Sequence, residues 1–265
     1  TLNYAEIFFA DKVILFEGET ESILLPAMLK KIDEETPSST ELPMLSQNIS
    51  LIASGAYSQI FDKFLEFVGI KTLIITDLDS GKETQIVDKN GHSRTVTVAH
   101  PVDGGTLTTN DALLHYYKTP LSKYSGGNQL DFFTNLSKEN KILRNNAGCW
   151  ESDPNGTLMI VFQTKEKDDY YPRSFEDAFI QINRDFMIAH QDTFESLKNR
   201  DKFDEKDASG KYMHDAYDLA TTCVKNKSSF ALDILLNSEA NETCTFSNWK
   251  IPPYIEEGLL WLRKN

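Results

Sequence analysis

The chain has little of what marks many functional classes. Its three cysteines, Cys149, Cys223 and Cys244, are odd in number, widely spaced and form no CxxC pair. That excludes a disulfide framework or a cysteine zinc cluster and points to a reducing compartment, the cytoplasm. The five histidines, His92, His100, His115, His190 and His214, lack metal-ligand spacing, which argues against a histidine zinc site. No apolar run reaches membrane-spanning length, and no signal peptide is visible. No Gly-x-x-x-x-Gly-Lys-Ser/Thr occurs, so no P-loop is expected to bind ATP. Basic residues are scarce: 27 Lys and Arg stand against 40 Asp and Glu, for a formal net charge of −13. Such a balance argues against a broad non-specific nucleic-acid coat, but not against a local basic groove beside an acidic metal site.

What is present is a core and two pairs of acids. At 265 residues and 40% hydrophobic, the chain can bury one large or two modest domains. Residues 13–16 form a short apolar run, followed at once by Glu17 and then Glu21. Residues 72–76 form another, followed by Asp77 and Asp79. Such runs read as strands buried on both faces. Ligands of open α/β sheets collect beyond the carboxyl ends of the strands, so four acids are expected at one edge. Like charges gathered there repel unless a cation sits among them, and hard divalent ions suit oxygen donors.

The organisation follows from the same signals. Gly18 is expected to turn the chain sharply and Thr20 to cap a helix carrying Ile23, Leu24, Ala27 and Met28, kinked or delayed by Pro26. Residues 33–48 read as a loop and 49–53 as a strand. The next helix has Ile60, Phe61, Phe64, Leu65 and Val68 on one face and Gly69 as its stop. The order β-α-β-α-β predicts a parallel sheet flanked by helices. Residues 85–98 read as a hairpin with a two-residue turn near Asn90-Gly91. Residues 112–117 read as a helix and 158–162 as a strand. Helices are expected at about 175–198, 210–224, 228–236 and 254–263. A boundary is placed near residue 200, where charge is dense: 1–200 catalytic, with an insertion at about 81–170, and 201–265 helical. The chain starts at Thr1 and is read as running straight into a strand, which suggests a fragment whose N-terminal portion is missing.

A strand–Glu-Gly–helix followed some sixty residues later by strand–Asp-x-Asp resembles the Toprim fold of topoisomerases, DnaG-type primases and a group of nucleases. The stretch from Phe8 to Glu21, with Leu24-Leu25-Pro26 after it, resembles more narrowly the C-terminal region of OLD-family (overcoming lysogenisation defect) nucleases. Three further stretches are similar to that family: Arg173-Ser174-Phe175-Glu176, Lys227-Ser228-Ser229-Phe230-Ala231, and Trp249 through Trp261-Leu262. The resemblance covers about 7–80, 172–180 and 211–262 and is absent over most of 81–170.

The resemblance implies a DNA endonuclease or nickase using two divalent ions, Mg²⁺ or Mn²⁺. Glu17, Glu21, Asp77, Asp79 and Glu176 would be the metal-binding carboxylates, with Glu17 also able to move a proton. Lys211 or Lys227 would neutralise charge on the scissile phosphate, and sequence does not choose between them. It also implies an ABC-type ATPase domain ahead of this region and a place in phage defence. Residue by residue, plainer readings stand beside these: Glu176 follows Ser174 in a helix's first turn, where acids are common, and Lys227 reads as a solvated helix lysine. Two alternatives remain. One is a primase or topoisomerase fragment. The other is a non-enzymatic interaction module, whose acidic surface would suit a protein partner or self-association.

Overall fold

The computed structural model describes residues 3–37, 40–87, 89 and 91–264. A 3-10 helical segment, Asn3–Phe9, precedes β1 (Lys12–Phe16), so the chain does not enter the sheet directly. Then come α1 (Glu19–Glu35), β2 (Ile49–Ala53), a 3-10 segment Gly55–Phe61 leading into α2 (Asp62–Val68), and β3 (Lys71–Ile75). The middle of the chain holds β4 (Ser80–Val87), β5 (Ser93–Ala99), β6 (Leu107–Thr108), α3 (Asp111–Tyr116), α4 (Lys118–Ser122) and α5 (Gln129–Thr134). It continues through β7 (Ile142–Asn146), β8 (Cys149–Ser152) and β9 (Leu158–Val161). The rest is helical: α6 (Phe175–Ile182), α7 (Arg184–His190), α8 (Ala216–Cys223), α9 (Lys227–Leu236) and α10 (Pro253–Arg263).

The main sheet has the order β2-β1-β3-β9-β7-β8. Its first four strands are parallel, and β7 and β8 are antiparallel additions. Strand alternation splits the apolar runs between two cores. Ile14, Phe16, Leu73, Ile75, Met159 and Val161 face a core completed by α1, α6, α8, α9 and α10. Val13, Leu15, Ile74, Leu158 and Ile160 face the other, completed by Leu65, Leu113, Tyr116 and Phe133. Gly258 lets α10 lie close on the sheet, because a Cβ there would come within 2.7 Å of Leu73 Cδ1. This is the parallel α/β architecture with a helical C-terminal part that the sequence predicts.

Several local expectations are corrected. Helix α1 reaches Glu35, so the loop begins later than residue 33, and its assignment runs through Pro26 without a break. Thr20 lies inside α1, whose N-cap is Gly18. Gly69 does end α2 in the left-handed region, at φ 64°. Ile60 is 75% exposed, however, so the face predicted around it is not uniformly buried. The single helix expected over 175–198 is two short ones, α6 and α7, meeting at Asn183. The hairpin exists, but Val87 pairs with Ser93, leaving five residues between the strands. The proposed Asn90-Gly91 turn falls partly outside the described residues. Of residues 81–170, the strands β7 to β9 belong to the main sheet.

Candidate metal centre

The parallel strands deliver their acids to one edge, as their direction requires. Glu17 follows β1 directly. Its Oε2 accepts from Thr76 Oγ1 at 2.6 Å, from Asn110 Nδ2 at 3.1 Å and from the Asp77 backbone N–H at 3.3 Å. Asp77 is buried, and its Oδ1 accepts from Gln163 Nε2 at 2.6 Å. The same Gln163 amide reaches Tyr254 Oη at 3.2 Å, while its Oε1 accepts from the Leu78 N–H at 2.6 Å. Asp79 sits at φ 47°, in the left-handed region, so the chain is no longer extended there. Its Oδ1 pairs with Arg173 Nη2 at 2.9 Å.

Helix N-termini supply the rest. Glu21 is buried in the first turn of α1. Gly18 is extended, at φ −109°, so its role is room rather than a turn. A Cβ on Gly18 would run into Glu21 Oε2. Glu176, in the first turn of α6, is buried; its Oε1 accepts from Thr20 Oγ1 at 3.1 Å, and its Oε2 faces Lys227 Nζ at 2.9 Å. The neighbouring Asp177 does the capping work, accepting from the Arg173 and Ser174 N–H groups at 2.7 Å each. That division leaves Glu176 to the cluster.

The electrostatics are those of acids in want of a cation. Burial, then Glu176 and Glu17, pushes Glu21 up to about 7, against the pull of Lys227. Burial, with Glu21 the leading charge, raises Asp77 well above the carboxylate range. Burial also raises Asp79, partly offset by Arg173. Desolvation pulls the Lys227 ammonium down, but Glu176, Asp77 and Glu21 together raise it above its ordinary value. Among the described residues, no three acids, histidines or cysteines meet closely enough to form a ready cation cage. Lys227 pairs with Glu176 and Arg173 with Asp79, which offsets part of the acids' charge. The donor chemistry, hard carboxylate oxygens with Glu17 and Asp77 oriented by neutral donors, fits a divalent ion such as Mg²⁺.

Asp77, Asp79, Arg173, Ser174, Glu176 and Lys227 line one open cleft of about 320 Å³. Lys211 is not in it. That residue lies in an exposed turn, its backbone paired with Asp207. Sequence reasoning missed Asn110, Gln163 and Arg173 as site residues. Gln163 carries a usable signal, a polar residue directly after the apolar run 158–162, like Glu17 and Asp77. Asn110 offers only its N-cap pattern before α3, where its Oδ1 accepts from the Leu113 N–H at 3.1 Å.

The match to the family model "Overcoming lysogenization defect protein-like, TOPRIM domain" spans residues 8–79, from the segment ahead of β1 to the second aspartate. Residues 8–79 are an OLD-like Toprim domain. The chain is 26% identical, over 263 residues, to "Endonuclease GajA" of Bacillus cereus (strain HuB5-5). That match takes in 98% of this chain and 32% of that protein, so the chain spans about a third of the length of the curated relative. Among solved structures, it is similar to the C-terminal region of the Burkholderia pseudomallei OLD protein, at 16% identity and TM-score 0.44, covering 96% of this chain and 98% of that one. It is also similar to the C-terminal region of the Xanthomonas campestris pv. campestris OLD protein, at 14% identity and TM-score 0.46, covering 97% and 94%. No helix among the described residues is long and apolar enough to cross a membrane.

Proposed function

We propose that this chain is the nuclease region of an OLD-like protein, hydrolysing phosphodiester bonds in DNA with Mg²⁺ or Mn²⁺. The observation that carries the reading is that Glu17, Glu21, Asp77, Asp79 and Glu176 lie within electrostatic reach of one another and of Lys227 at the carboxyl edge of the Toprim sheet, although they do not close into a cage. The five carboxylates would hold two ions, which when bound would activate water and stabilise the leaving oxygen. Thr76 and Asn110 fix the Glu17 carboxylate, and Gln163 fixes Asp77, so neither must be reorganised during the reaction. Lys227, held protonated by Glu176, would act as a cation toward the scissile phosphate and not as a base. Lys211, in its exposed turn, is the weaker candidate. The relative's printed name, an endonuclease, supports the nuclease reading; an ATPase domain in a longer parent protein and a cytoplasmic role in phage defence are proposed from the family resemblance alone.

The test is cleavage of supercoiled plasmid with Mg²⁺, Mn²⁺ or EDTA. Metal-dependent nicking is expected, falling at least about a hundredfold in Glu17→Ala and in Asp77→Ala. Equal cleavage by wild type and Asp77→Ala would overturn the proposal. Lys227→Ala should lose activity with metal binding intact by calorimetry, and Lys211→Ala should change neither.

A further inference from the structure

The residue after Asp79 begins a different kind of structure. β4 and β5 pair over seven positions, from Gly81–Ala99 to Val87–Ser93. At about 3.4 Å per residue the ribbon spans about 20 Å. Most of its side chains beyond Gly81 are exposed, on both faces, so nothing among the described residues covers it. Its root is fixed to the candidate metal centre: Arg173, which pairs with Asp79, also donates through Nε to the Ser80 carbonyl at 3.0 Å.

The two faces differ in charge. Pairing register places Glu83, Gln85, Val87, Ser93, Thr95 and Thr97 on one face. There Gln85 Nε2 donates to Thr95 Oγ1 at 2.7 Å and Ser93 Oγ donates to Gln85 Oε1 at 2.9 Å, so polar groups satisfy one another. The same register places Lys82, Thr84, Ile86, Arg94, Val96 and Val98 on the other. That face has two cations and no acid, in a chain of net charge −13. A two-stranded ribbon fits the DNA major groove, and scattered cations with a hydroxyl suit its phosphate walls.

We propose that the Lys82–Arg94 face of this ribbon is a DNA-docking arm, which holds duplex beside the acidic edge that repels it. The inference rests on the nuclease reading and deepens it. An acidic centre needs its anionic substrate held by charge placed elsewhere, and this face supplies such charge from Lys82, three residues after a proposed metal-binding aspartate, outward to Arg94 opposite Ile86.

The experiment uses the 265-residue chain, a labelled duplex and EDTA, with affinity read by anisotropy across a salt series. Plasmid cleavage with Mg²⁺ and sedimentation are run in parallel. Lys82→Ser/Arg94→Ser should bind roughly tenfold more weakly, with the salt slope reduced by about two. The charge-conserving Lys82→Arg/Arg94→Lys should bind like wild type, as should Thr97→Ser on the opposite face. If wild type cleaves DNA and the serine variant binds as tightly with the same slope, the arm is overturned and the nuclease reading stands. If wild type neither binds nor cleaves DNA, both are overturned. If the serine variant loses binding only by passing from dimer to monomer, the face is a self-association surface and the DNA assignment is overturned.

Discussion

Asp79 divides two regions that use β-structure in opposite ways. Before it, β1 and β3 are buried between two helical layers, and their side chains are committed to packing. After it, β4 and β5 stand in solvent and are held to each other and to little else. The first region gains rigidity, so acids at its ends keep their places although they repel one another. The second gives up core contacts and keeps its side chains available. The site lies at the junction, where a rigid acidic edge meets an uncommitted surface.

The contrast is sharpened most by a cavity in the rigid part. Leu73 is fully buried on β3 and packs under Gly258 of α10. Leu73→Ala should cost about 2–5 kcal/mol, read as a shift in the urea midpoint. A loss below about 1 kcal/mol would show that the parallel edge is far more plastic than its burial implies.

Glu166 tests the edge by pH. It follows β9, and both its carboxylate oxygens are buried with no hydrogen-bond partner among the described residues. Burial first, and then Asp177, pushes it up to about 8 from 4.5. Because the folded-state value is raised, the stability from its neutral form is complete below about 4.5 and is lost as pH rises toward 8. Glu166→Gln, in EDTA, should therefore match wild type near pH 4.5 and exceed it near pH 8, by on the order of 1–3 kcal/mol. Parallel stability curves for the two proteins would contradict that account.

Much of this edge was legible beforehand because the signal is local. An apolar run followed by an acid states both the strand and the place where its charge emerges, which is how Glu17 and Asp77 were found. Partners were less legible, because their roles depend on distant packing. Asn110 reads only as the cap of α3, yet its amide also donates to Glu17 from 93 residues away. Arg173 reads as part of a motif, but what it grips, Asp79 and the Ser80 carbonyl, is visible only in three dimensions. Gly18 reads in the sequence as a sharp turn, whereas its backbone is extended and what adjoins it is the Glu21 carboxylate. The exposed ribbon was legible as a hairpin and not as an arm, since alternation cannot tell a covered face from an open one.

The smallest expected effect completes the contrast. Val87 ends β4 and is 68% exposed, facing the polar side of the ribbon. Val87→Thr keeps the β-branched shape that suits a strand and removes little buried apolar area. Its effect on the urea midpoint should correspond to less than about 0.5 kcal/mol, as for ordinary surface positions. A loss above 1 kcal/mol would mean that the ribbon is packed against something in solution, and would move it from the uncommitted side of the comparison to the committed one.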